Sequence, residues 1–272
     1  MTQAPIADWD DAYANTAHVP GSAALPDRWA ARAEAFRRDW PAIETVAYGD
    51  HDRERLDLVR PDGPPHGLTV FVHGGYWMAT DRSAWTHLAA GAAARGWAVA
   101  LPSYPLAPDA RIAAITRAVA RAVAAAAGRV PGPIRLAGHS AGGHLAARMA
   151  CADAPLPASV AGRIERILSI SGLHDLRPLM WTDMNDTLAL DEDEAHAESP
   201  ALLRPRLPAR ATAWVGGGER PEFLRQAHLL ANVWTGLGAR VAAQVDGGHD
   251  HFSVLDGLRL PGSPLTEAFA GP

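Results

Sequence analysis

The sequence predicts an α/β fold, in which helices cover both faces of a mostly parallel central sheet. Three observations predict this fold. The chain has 272 residues, of which 48% are hydrophobic and 20% charged, enough apolar sequence for one large core. Short apolar runs alternate with longer helical segments beyond residue 68, which is the pattern of consecutive βαβ units. No fixed-period repeat or long linker divides the chain, so we expect a single domain over residues 1–272.

Local signals define the individual elements. A predicted helix over 27–40 begins with Asp27 as its cap, and the helix over 221–237 is followed by glycine. Residues 1–43 form a predicted N-terminal arm, and residues 172–208, which contain no strand pattern, form a predicted insertion. The other helices are predicted at 84–95, 110–127 and 142–151. Strands are predicted at 44–48, 55–59, 68–72, 97–101, 134–137, 164–170, 211–215 and 241–245.

The charged and sulfur-containing residues exclude several classes of function. All 25 basic residues are arginine, so chemistry that needs a lysine, such as a Schiff base or a Ser-Lys dyad, is impossible. The formal net charge is -5 and the arginines are spread along the chain, which predicts no nucleic-acid partner. A single cysteine, Cys151, excludes an internal disulfide, and we expect it to be a small apolar residue on a helix.

Neither a leader nor a membrane segment is predicted. Residues 1–13 lack a basic region and an apolar core, so they do not resemble a secretory signal. The longest alanine-rich stretch, 112–128, contains two arginines and is too short to cross a bilayer. We therefore predict a cytoplasmic protein without a membrane partner.

The pentapeptide from Gly138 to Gly142 fits the pattern Gly-x-Ser-x-Gly and lies between a predicted strand and a predicted helix. The chain must reverse sharply there, which strains the central Ser140 and exposes its hydroxyl. Small flanking residues make room for such a turn. The pentapeptide also occurs in ordinary glycine-rich turns, but its position between a strand and a helix favours a nucleophilic serine.

A second glycine-rich turn, over residues 73–77, follows the strand predicted at 68–72. Glycine lets the backbone come close to a substrate, so that N–H groups can face a developing negative charge on oxygen. We interpret the first residue of the turn, His73, as a structural residue that bonds the loop backbone. The residues predicted to form this oxyanion hole are Gly74, Gly75, Tyr76 and Ala141.

A serine nucleophile needs a base, and after a turn of this kind an acid and then a histidine follow in chain order. Two histidines lie in the loop after the last predicted strand. We choose His251 over His249 because an apolar segment that could anchor it follows directly. The pair could instead bind a metal, but no third ligand lies at a helpful spacing.

The acid has two candidates. Glu219 follows the strand predicted at 211–215, 32 residues before His251, and is our first choice. Asp175 follows the preceding strand and is the alternative, because the acid can move between neighbouring strand ends. Glu219 could also be a solvent-exposed charge in a turn.

Aromatic residues near these turns suggest a pocket for a flat or apolar substrate. Packing in the core is the better interpretation for most tryptophans. We expect the N-terminal arm, with Trp9 and Tyr13, to fold over the mouth of the site, and the insertion 172–208 to lie over it as well. The predicted substrate-binding residues are Tyr76, Trp77 and Trp181. No metal or cofactor is predicted.

The glycine-rich turns, together with later blocks of sequence, resemble those of the arylformamidase (kynurenine formamidase) branch of the α/β-hydrolase superfamily. The matching segments are His-Gly-Gly-Tyr-Trp at 73–77, Gly-His-Ser-Ala-Gly-Gly-His-Leu-Ala-Ala at 138–147, Pro-Glu-Phe at 221–223 and Asp-His-Phe at 250–252. The resemblance implies an α/β-hydrolase fold, with Ser140 as nucleophile, His251 as base and an acid at Glu219. Those enzymes usually have aspartate where this chain has Glu219.

The resemblance and the motifs together predict a serine hydrolase that cleaves a small ester or amide bond through an acyl-serine intermediate, as an arylformamidase does. A generic carboxylesterase that acts on short acyl esters is the alternative. A hydrolase fold used only for binding fits less well, because such a protein has no need for a complete set of catalytic residues. The expected partner is a small-molecule substrate, and a homodimer is compatible with the sequence.

Overall fold

An eight-stranded sheet organises the computed structural model, which describes residues 6–40, 42–206 and 208–272. The strand order is β1-β2-β4-β3-β5-β6-β7-β8. The first two strands pair antiparallel with their neighbours, and all pairs from β4 to β8 are parallel, which confirms the predicted fold class. The strands are β1 Ile43–Ala47, β2 Arg55–Val59, β3 Leu68–Val72, β4 Ala98–Pro102, β5 Ile134–His139, β6 Ile164–Ile170, β7 Arg210–Gly216 and β8 Arg240–Asp246.

The helices connect these strands and cover the sheet. The α-helices are α1 Trp9–Tyr13, α2 Leu25–Asp39, α3 Ala90–Ala94, α4 Ile112–Ala127, α5 Ala141–Met149, α6 Ala158–Ala161, α7 Asn185–Leu188, α8 Glu192–Ala197, α9 Pro221–Gly236 and α10 Pro264–Ala270. Short 3-10 helices cover Thr16–His18, Ser22–Ala24, Arg82–Ala84, Thr86–Ala89, Arg177–Trp181, Pro200–Leu202 and Ser253–Arg259. No helix among the described residues is long and apolar enough to cross a membrane.

Most predicted elements lie within two residues of the observed ones, and two differ. The helix predicted over 84–95 is instead two 3-10 segments followed by the short α3. Trp85 interrupts it with a backbone φ of -116°, and the remaining segment is too short and glycine-containing to hold one continuous helix. The first long helix begins at Leu25, so Asp27 lies in its first turn and is not its cap.

The core lies on both faces of the sheet. Every residue of β3, β4 and β5 is buried, as expected for central strands covered on both sides. One apolar cluster packs helices α4, α5 and α9 against one set of strand side chains. A second cluster contains residues of α3, α10 and the segment 253–259. Each large apolar side chain buried in this way contributes roughly 1.5–3 kcal/mol.

Because the strands from β3 to β8 run parallel, the loops that follow them gather at one edge of the sheet. Four of these loops carry the predicted functional residues. They follow β3, β5, β7 and β8 and contain the turn at 73–77, Ser140, Glu219 and His251, respectively. The fold therefore brings residues that are distant in sequence to one place.

Candidate active site

Ser140 occupies a sharp turn between β5 and α5. Its backbone has φ +55° and ψ -120°, a conformation that a residue other than glycine rarely adopts. Its N–H donates a hydrogen bond to the carbonyl of Ile170 at 2.9 Å, which ties the turn to the neighbouring strand. The strain and the position agree with the predicted nucleophile turn.

The glycines on each side of Ser140 lie where a side chain would clash with neighbouring backbone atoms. A Cβ at Gly138 would lie 2.0 Å from the carbonyl oxygen of Gly142. A Cβ at Gly142 would lie 2.0 Å from the carbonyl oxygen of Val72. Since both neighbours are backbone atoms of buried elements, they cannot move aside. The motif is thus a steric requirement of the turn.

The turn over 73–77 passes directly beside Ser140. A Cβ at Gly74 would lie 3.1 Å from the Cβ of Ser140, so only glycine fits there without displacement. The next residues, Gly75 and Tyr76, have φ values of +112° and +53°. Among the described residues, neither of their N–H groups has a hydrogen-bond acceptor. Both remain available to a ligand.

A third N–H lies on the other side of the serine. Ala141 is the first residue of α5, and the first N–H groups of a helix have no partner within the helix. The positive end of the helix dipole also favours negative charge there. Together with the turn at 73–77, Ala141 can therefore face an oxyanion.

His73 is structural, as predicted. It is buried, and its ring stacks on Tyr104 with centroids 4.3 Å apart. Its Nδ1 donates to the carbonyl of Gly74 at 2.7 Å. Burial lowers the pKa of His73 to about 4, so the ring is neutral at physiological pH. The neutral imidazole stabilises the turn over 73–77 through this hydrogen bond.

His251 and Glu219 form a buried hydrogen-bonded pair. Nδ1 of His251 lies 2.6 Å from Oε2 of Glu219, and the exposed fractions of the two side chains are 4% and 0%. Since the carboxylate accepts the proton on Nδ1, the lone pair is on Nε2. His251 and Ser140 both line the same pocket. The histidine therefore has the tautomer that a general base for the serine needs.

The second oxygen of Glu219 is held by two further donors. Oε1 accepts a hydrogen bond from the hydroxyl of Ser171 at 2.6 Å and from the N–H of Gly216 at 2.7 Å. Ser171 is fully buried and has a φ of +51° at the end of β6. From the sequence, Ser171 had no predicted role in the site. One signal was available: Ser171 is a small residue with a hydroxyl directly after β6, the strand next to β7, which Glu219 follows.

The loop of His251 is also tied to the serine turn. His139, next to Ser140, donates from Nε2 to the carbonyl oxygen of His251 at 2.7 Å. Burial lowers the pKa of His139 far below its ordinary value, and the nearby charge of His251 lowers it further. His139 is therefore a neutral, fixed support for the loop that carries His251.

Asp175, the alternative acid, and His249, the alternative base, interact with other residues. Both carboxylate oxygens of Asp175 bond the guanidinium of Arg177, at 2.9 and 2.8 Å. Burial raises the pKa of Asp175, but the hydrogen bonds from Arg177 outweigh it and lower the pKa overall. Nδ1 of His249 lies 3.4 Å from the hydroxyl of Ser253. Neither side chain has a hydrogen bond to Glu219 or His251.

The pocket above Ser140 has a volume of about 180 Å³. Its walls are aromatic and aliphatic. Of the three predicted substrate-binding residues, Tyr76 lines this pocket. The lining residues are Thr16, Ser22, Leu25, Pro26, Trp29, Gly75, Tyr76, Ala79, Thr80, Trp85, His139, Ser140, His251 and Phe252.

The N-terminal arm covers this pocket, although with other residues than predicted. The segment 16–29 supplies five of the lining side chains. Trp9 instead packs against Trp181, with ring centroids 5.7 Å apart, and the Tyr13 hydroxyl donates to Glu222 at 2.9 Å. No periodicity in the arm distinguishes a segment that lines a pocket from one that packs on the surface.

Two predicted substrate-binding residues and the predicted insertion lie outside the pocket. Trp77 is 0% exposed and packs its ring on the edge of His144, so it belongs to the core. The side chain of Trp181 is 64% exposed and lies in a separate surface groove. None of the described residues in 172–208 lines the pocket of Ser140, so the insertion does not lie over it. These placements correct the prediction, because adjacency to a loop in sequence does not fix the direction of a side chain.

Potential metal ligands do not gather at this site. No group of three or more His, Cys, Asp or Glu side chains within the described ranges has the arrangement of a metal site. Cys151 is buried and free, and burial raises its pKa to about 12. The polar groups at the strand ends are instead arranged as a serine, a histidine and a carboxylate.

Comparison with known proteins finds relatives that are named kynurenine formamidases. The kynurenine formamidase of Danio rerio is 29% identical over 235 residues, covering 83% of this chain and 80% of that protein. The kynurenine formamidase of Salmo salar is 29% identical and covers 78% and 76%, respectively. These matches confirm the predicted resemblance to kynurenine formamidases.

Solved structures share the fold of this chain. A crystal structure of a candidate thioesterase from Silicibacter sp. TM1040 is 49% identical, with a TM-score of 0.91, covering 96% of this chain and 98% of that chain. An esterase of Pyrobaculum calidifontis shares the fold at 18% identity, with a TM-score of 0.70 and 90% of each chain covered. The family model described as "Alpha/beta hydrolase family" matches residues 69–268. The chain belongs to the alpha/beta hydrolase family.

Proposed function

We propose that this protein is a serine hydrolase that cleaves a small ester or amide bond through an acyl-serine intermediate. One observation carries the proposal. A strained serine opens into the same pocket as a histidine whose Nδ1 is held by a buried carboxylate at 2.6 Å. The chain order of serine, acid and histidine and the bonding of His251 to Glu219 support their assignment as nucleophile, orienting acid and base for acyl transfer.

In the first step, Oγ of Ser140 attacks the substrate carbonyl carbon while Nε2 of His251 takes the serine proton. Glu219 stabilises the imidazolium that forms. The negative charge on the carbonyl oxygen is met by the N–H groups of Gly75, Tyr76 and Ala141, and each such donor is worth roughly 3 kcal/mol in the transition state. The tetrahedral intermediate then collapses: the C–N or C–O bond to the leaving group breaks as the imidazolium protonates the departing amine or alcohol, and the acyl-serine remains.

In the second step, water hydrolyses the acyl-serine. Nε2 of His251 removes a proton from the water, whose oxygen attacks the acyl carbon. The tetrahedral intermediate collapses, the carboxylic acid leaves and Ser140 regains its proton. The same oxyanion donors act in both steps, so no further residue is needed.

An arylformamide is the substrate class that we favour. The curated relatives are named kynurenine formamidases, and the pocket of about 180 Å³ has aromatic walls. A carboxylesterase acting on short acyl esters remains the alternative and uses the same steps. Hydrolysis of a thioester is a second candidate, supported by the 49% identical candidate thioesterase.

Labelling with a fluorophosphonate tests the mechanism. We expect one adduct per chain, mapped by mass spectrometry to Ser140, and loss of both labelling and turnover in Ser140→Ala. An adduct at another serine, or full turnover by Ser140→Ala, would overturn the proposal. Turnover of N-formyl-L-kynurenine, p-nitrophenyl acetate and an acetyl thioester then ranks the three substrate classes.

The remaining predictions concern the whole chain. We propose a single domain, a location in the cytoplasm, a small-molecule substrate and no nucleic-acid partner, with a homodimer as one possible assembly. The negative net charge of -5 supports the absence of nucleic acid as a partner. Light scattering of the purified protein measures the assembly directly.

A further inference from the structure

The pocket above Ser140 contains no charged side chain among its described lining residues. Its fourteen residues include no Asp, Glu or Arg, and the chain has no lysine. Its two histidines, His139 and His251, are the serine neighbour and the proposed base. A ligand in this pocket therefore meets no fixed ion.

The polar groups of the lining are largely engaged within the protein. The Tyr76 hydroxyl donates to the carbonyl of Tyr13 at 2.9 Å and accepts from the Asn15 amide at 3.2 Å. The hydroxyl of Thr80 donates to the carbonyl of Gly74 at 2.8 Å, and that of Ser22 to the carbonyl of Thr16 at 2.8 Å. Apart from the hydroxyl of Ser140, the ring of His251 and the N–H groups of Gly75 and Tyr76, the pocket therefore presents mainly ring faces and aliphatic carbon to a ligand.

Four aromatic side chains line this apolar surface. Trp29 and Trp85 lie against each other with centroids 4.6 Å apart, and Phe252 lies 5.7 Å from Trp29. Tyr76 offers its ring, since its hydroxyl is occupied. Such walls suit a flat apolar group. An ammonium or carboxylate held there would lose water without gaining a side chain of opposite charge from the described lining, which is unfavourable.

We propose that the substrate group bound in this pocket is an uncharged aryl group, and that the pocket discriminates against an aryl group carrying an amino-acid zwitterion. The inference rests on the proposed serine hydrolase function and narrows its substrate class. It separates this chain from a formamidase that is selective for N-formyl-L-kynurenine, whose side chain carries both charges.

Two matched pairs of substrates test the inference. The first pair is N-formyl-L-kynurenine and ortho-formamidoacetophenone, which share the aryl formamide and the ortho ketone and differ in the amino-acid group. The second pair is O-acetyl-L-tyrosine and p-cresyl acetate, which differ in the same way and are esters. In whichever pair is cleaved, we expect kcat/KM for the neutral member to be higher by at least about tenfold.

The outcomes distinguish the two proposals. If the zwitterionic member is cleaved as fast as its neutral partner, or faster, the neutral-pocket inference is wrong while the hydrolase function stands. If no ester, amide or thioester is cleaved and no fluorophosphonate adduct forms, the proposed function fails and the inference fails with it.

A charge introduced into the wall provides an independent test. Leu25 lines the pocket at the start of α2 and is partly exposed, so a longer polar side chain has room to reach solvent. Leu25→Arg adds a cation that can pair with the substrate carboxylate, and we expect it to reduce the preference for the neutral member severalfold. Leu25→Met is the matched control and should keep the preference. An unchanged preference in Leu25→Arg would contradict the inference.

Discussion

The hydroxyl of Ser171 donates a 2.6 Å hydrogen bond to Oε1 of Glu219, although the two residues follow different strands of the sheet. The other oxygen, Oε2, is thereby left to His251 at 2.6 Å. This bond, together with that from the N–H of Gly216 at 2.7 Å, fixes the rotation of the carboxylate. A serine outside the proposed triad thus orients the carboxylate of its proposed acid.

Removing this hydroxyl should impair turnover more than binding. We expect Ser171→Ala to lower kcat about tenfold with little change in KM, because the carboxylate loses a charge-assisted hydrogen bond. The acid limb of kcat/KM should move to higher pH, since Glu219 then becomes a stronger acceptor for His251. Steady-state kinetics across pH 5–9 would measure both effects.

Two variants separate this role from a structural one. Ser171→Gly also removes the hydroxyl but relieves the positive φ of +51°, so it should show the same kinetic change as Ser171→Ala. Thr116→Val removes a hydroxyl that bonds the buried carboxylate of Glu198 and should leave the pH profile unchanged. Normal kinetics in Ser171→Gly would mean that only the backbone matters.

The choice between the two predicted acids is also testable. Glu219→Gln keeps the shape but loses the charge that stabilises the imidazolium, so kcat should fall by roughly two to four orders of magnitude. Glu219→Asp should retain part of the activity, because the charge remains. Asp175→Asn should lose only the pairing with Arg177 and change the melting temperature more than kcat. A fully active Glu219→Gln variant would show that the assignment is wrong.

The sequence was informative wherever backbone geometry restricts the residue type. The pattern around Ser140 could be recognised because Gly138 and Gly142 face backbone atoms at 2.0 Å, and no other residue fits. His251 and Glu219 could be chosen because chain order in parallel α/β sheets limits where a base and an acid can lie. These constraints are local or topological and can therefore be read from one chain.

Side-chain direction and long-range packing were not predictable in the same way. Trp77 is next to a loop residue that lines the pocket, yet its φ of +59° turns its ring into the core. Trp29 lines the pocket although more than 100 residues separate it from Ser140, since it arrives on a helix that packs from outside the sheet. Such contacts depend on the assembled fold.

Two tryptophans that the sequence did not distinguish should behave differently. Trp29→Ala removes a wall of the pocket, and we expect KM for aryl substrates to rise about tenfold, because aromatic contact and buried area are lost. Trp181→Ala changes an exposed residue in a separate groove and should leave kcat and KM unchanged. Kinetics with p-nitrophenyl acetate and a longer aliphatic ester would compare them. Equal effects of the two variants would argue against this pocket.

Buried neutral histidines should make the fold sensitive to acid. Burial lowers the pKa of His73 and His174 to about 4 and that of His144 to about 3, against an ordinary value of 6.5. The unfolded chain then binds more protons below pH 6.5, so stability is complete above that pH and declines as pH falls toward 4. Urea unfolding at several pH values would show this decline.

One variant assigns part of that slope to a single side chain. His144→Gln can still donate to the carbonyl of Glu198 but no longer titrates, so the pH dependence of the unfolding free energy between pH 6 and 4.5 should flatten by about 1 kcal/mol per pH unit. The exposed His196 provides the control, and His196→Gln should keep the original slope. An unchanged slope in His144→Gln would contradict the linkage.

Because segment 16–29 lies over the pocket, substrate selection and bond cleavage are assigned to distant parts of the chain. The groups proposed to break the bond come from loops beyond residue 72, whereas much of the wall that would select the molecule to be broken comes from the first thirty residues. Mutations in that short segment can therefore alter preference without disturbing reactivity. Substitutions in such an arm, natural or engineered, offer a way to change the substrate preference while the loops proposed to catalyse the reaction stay the same.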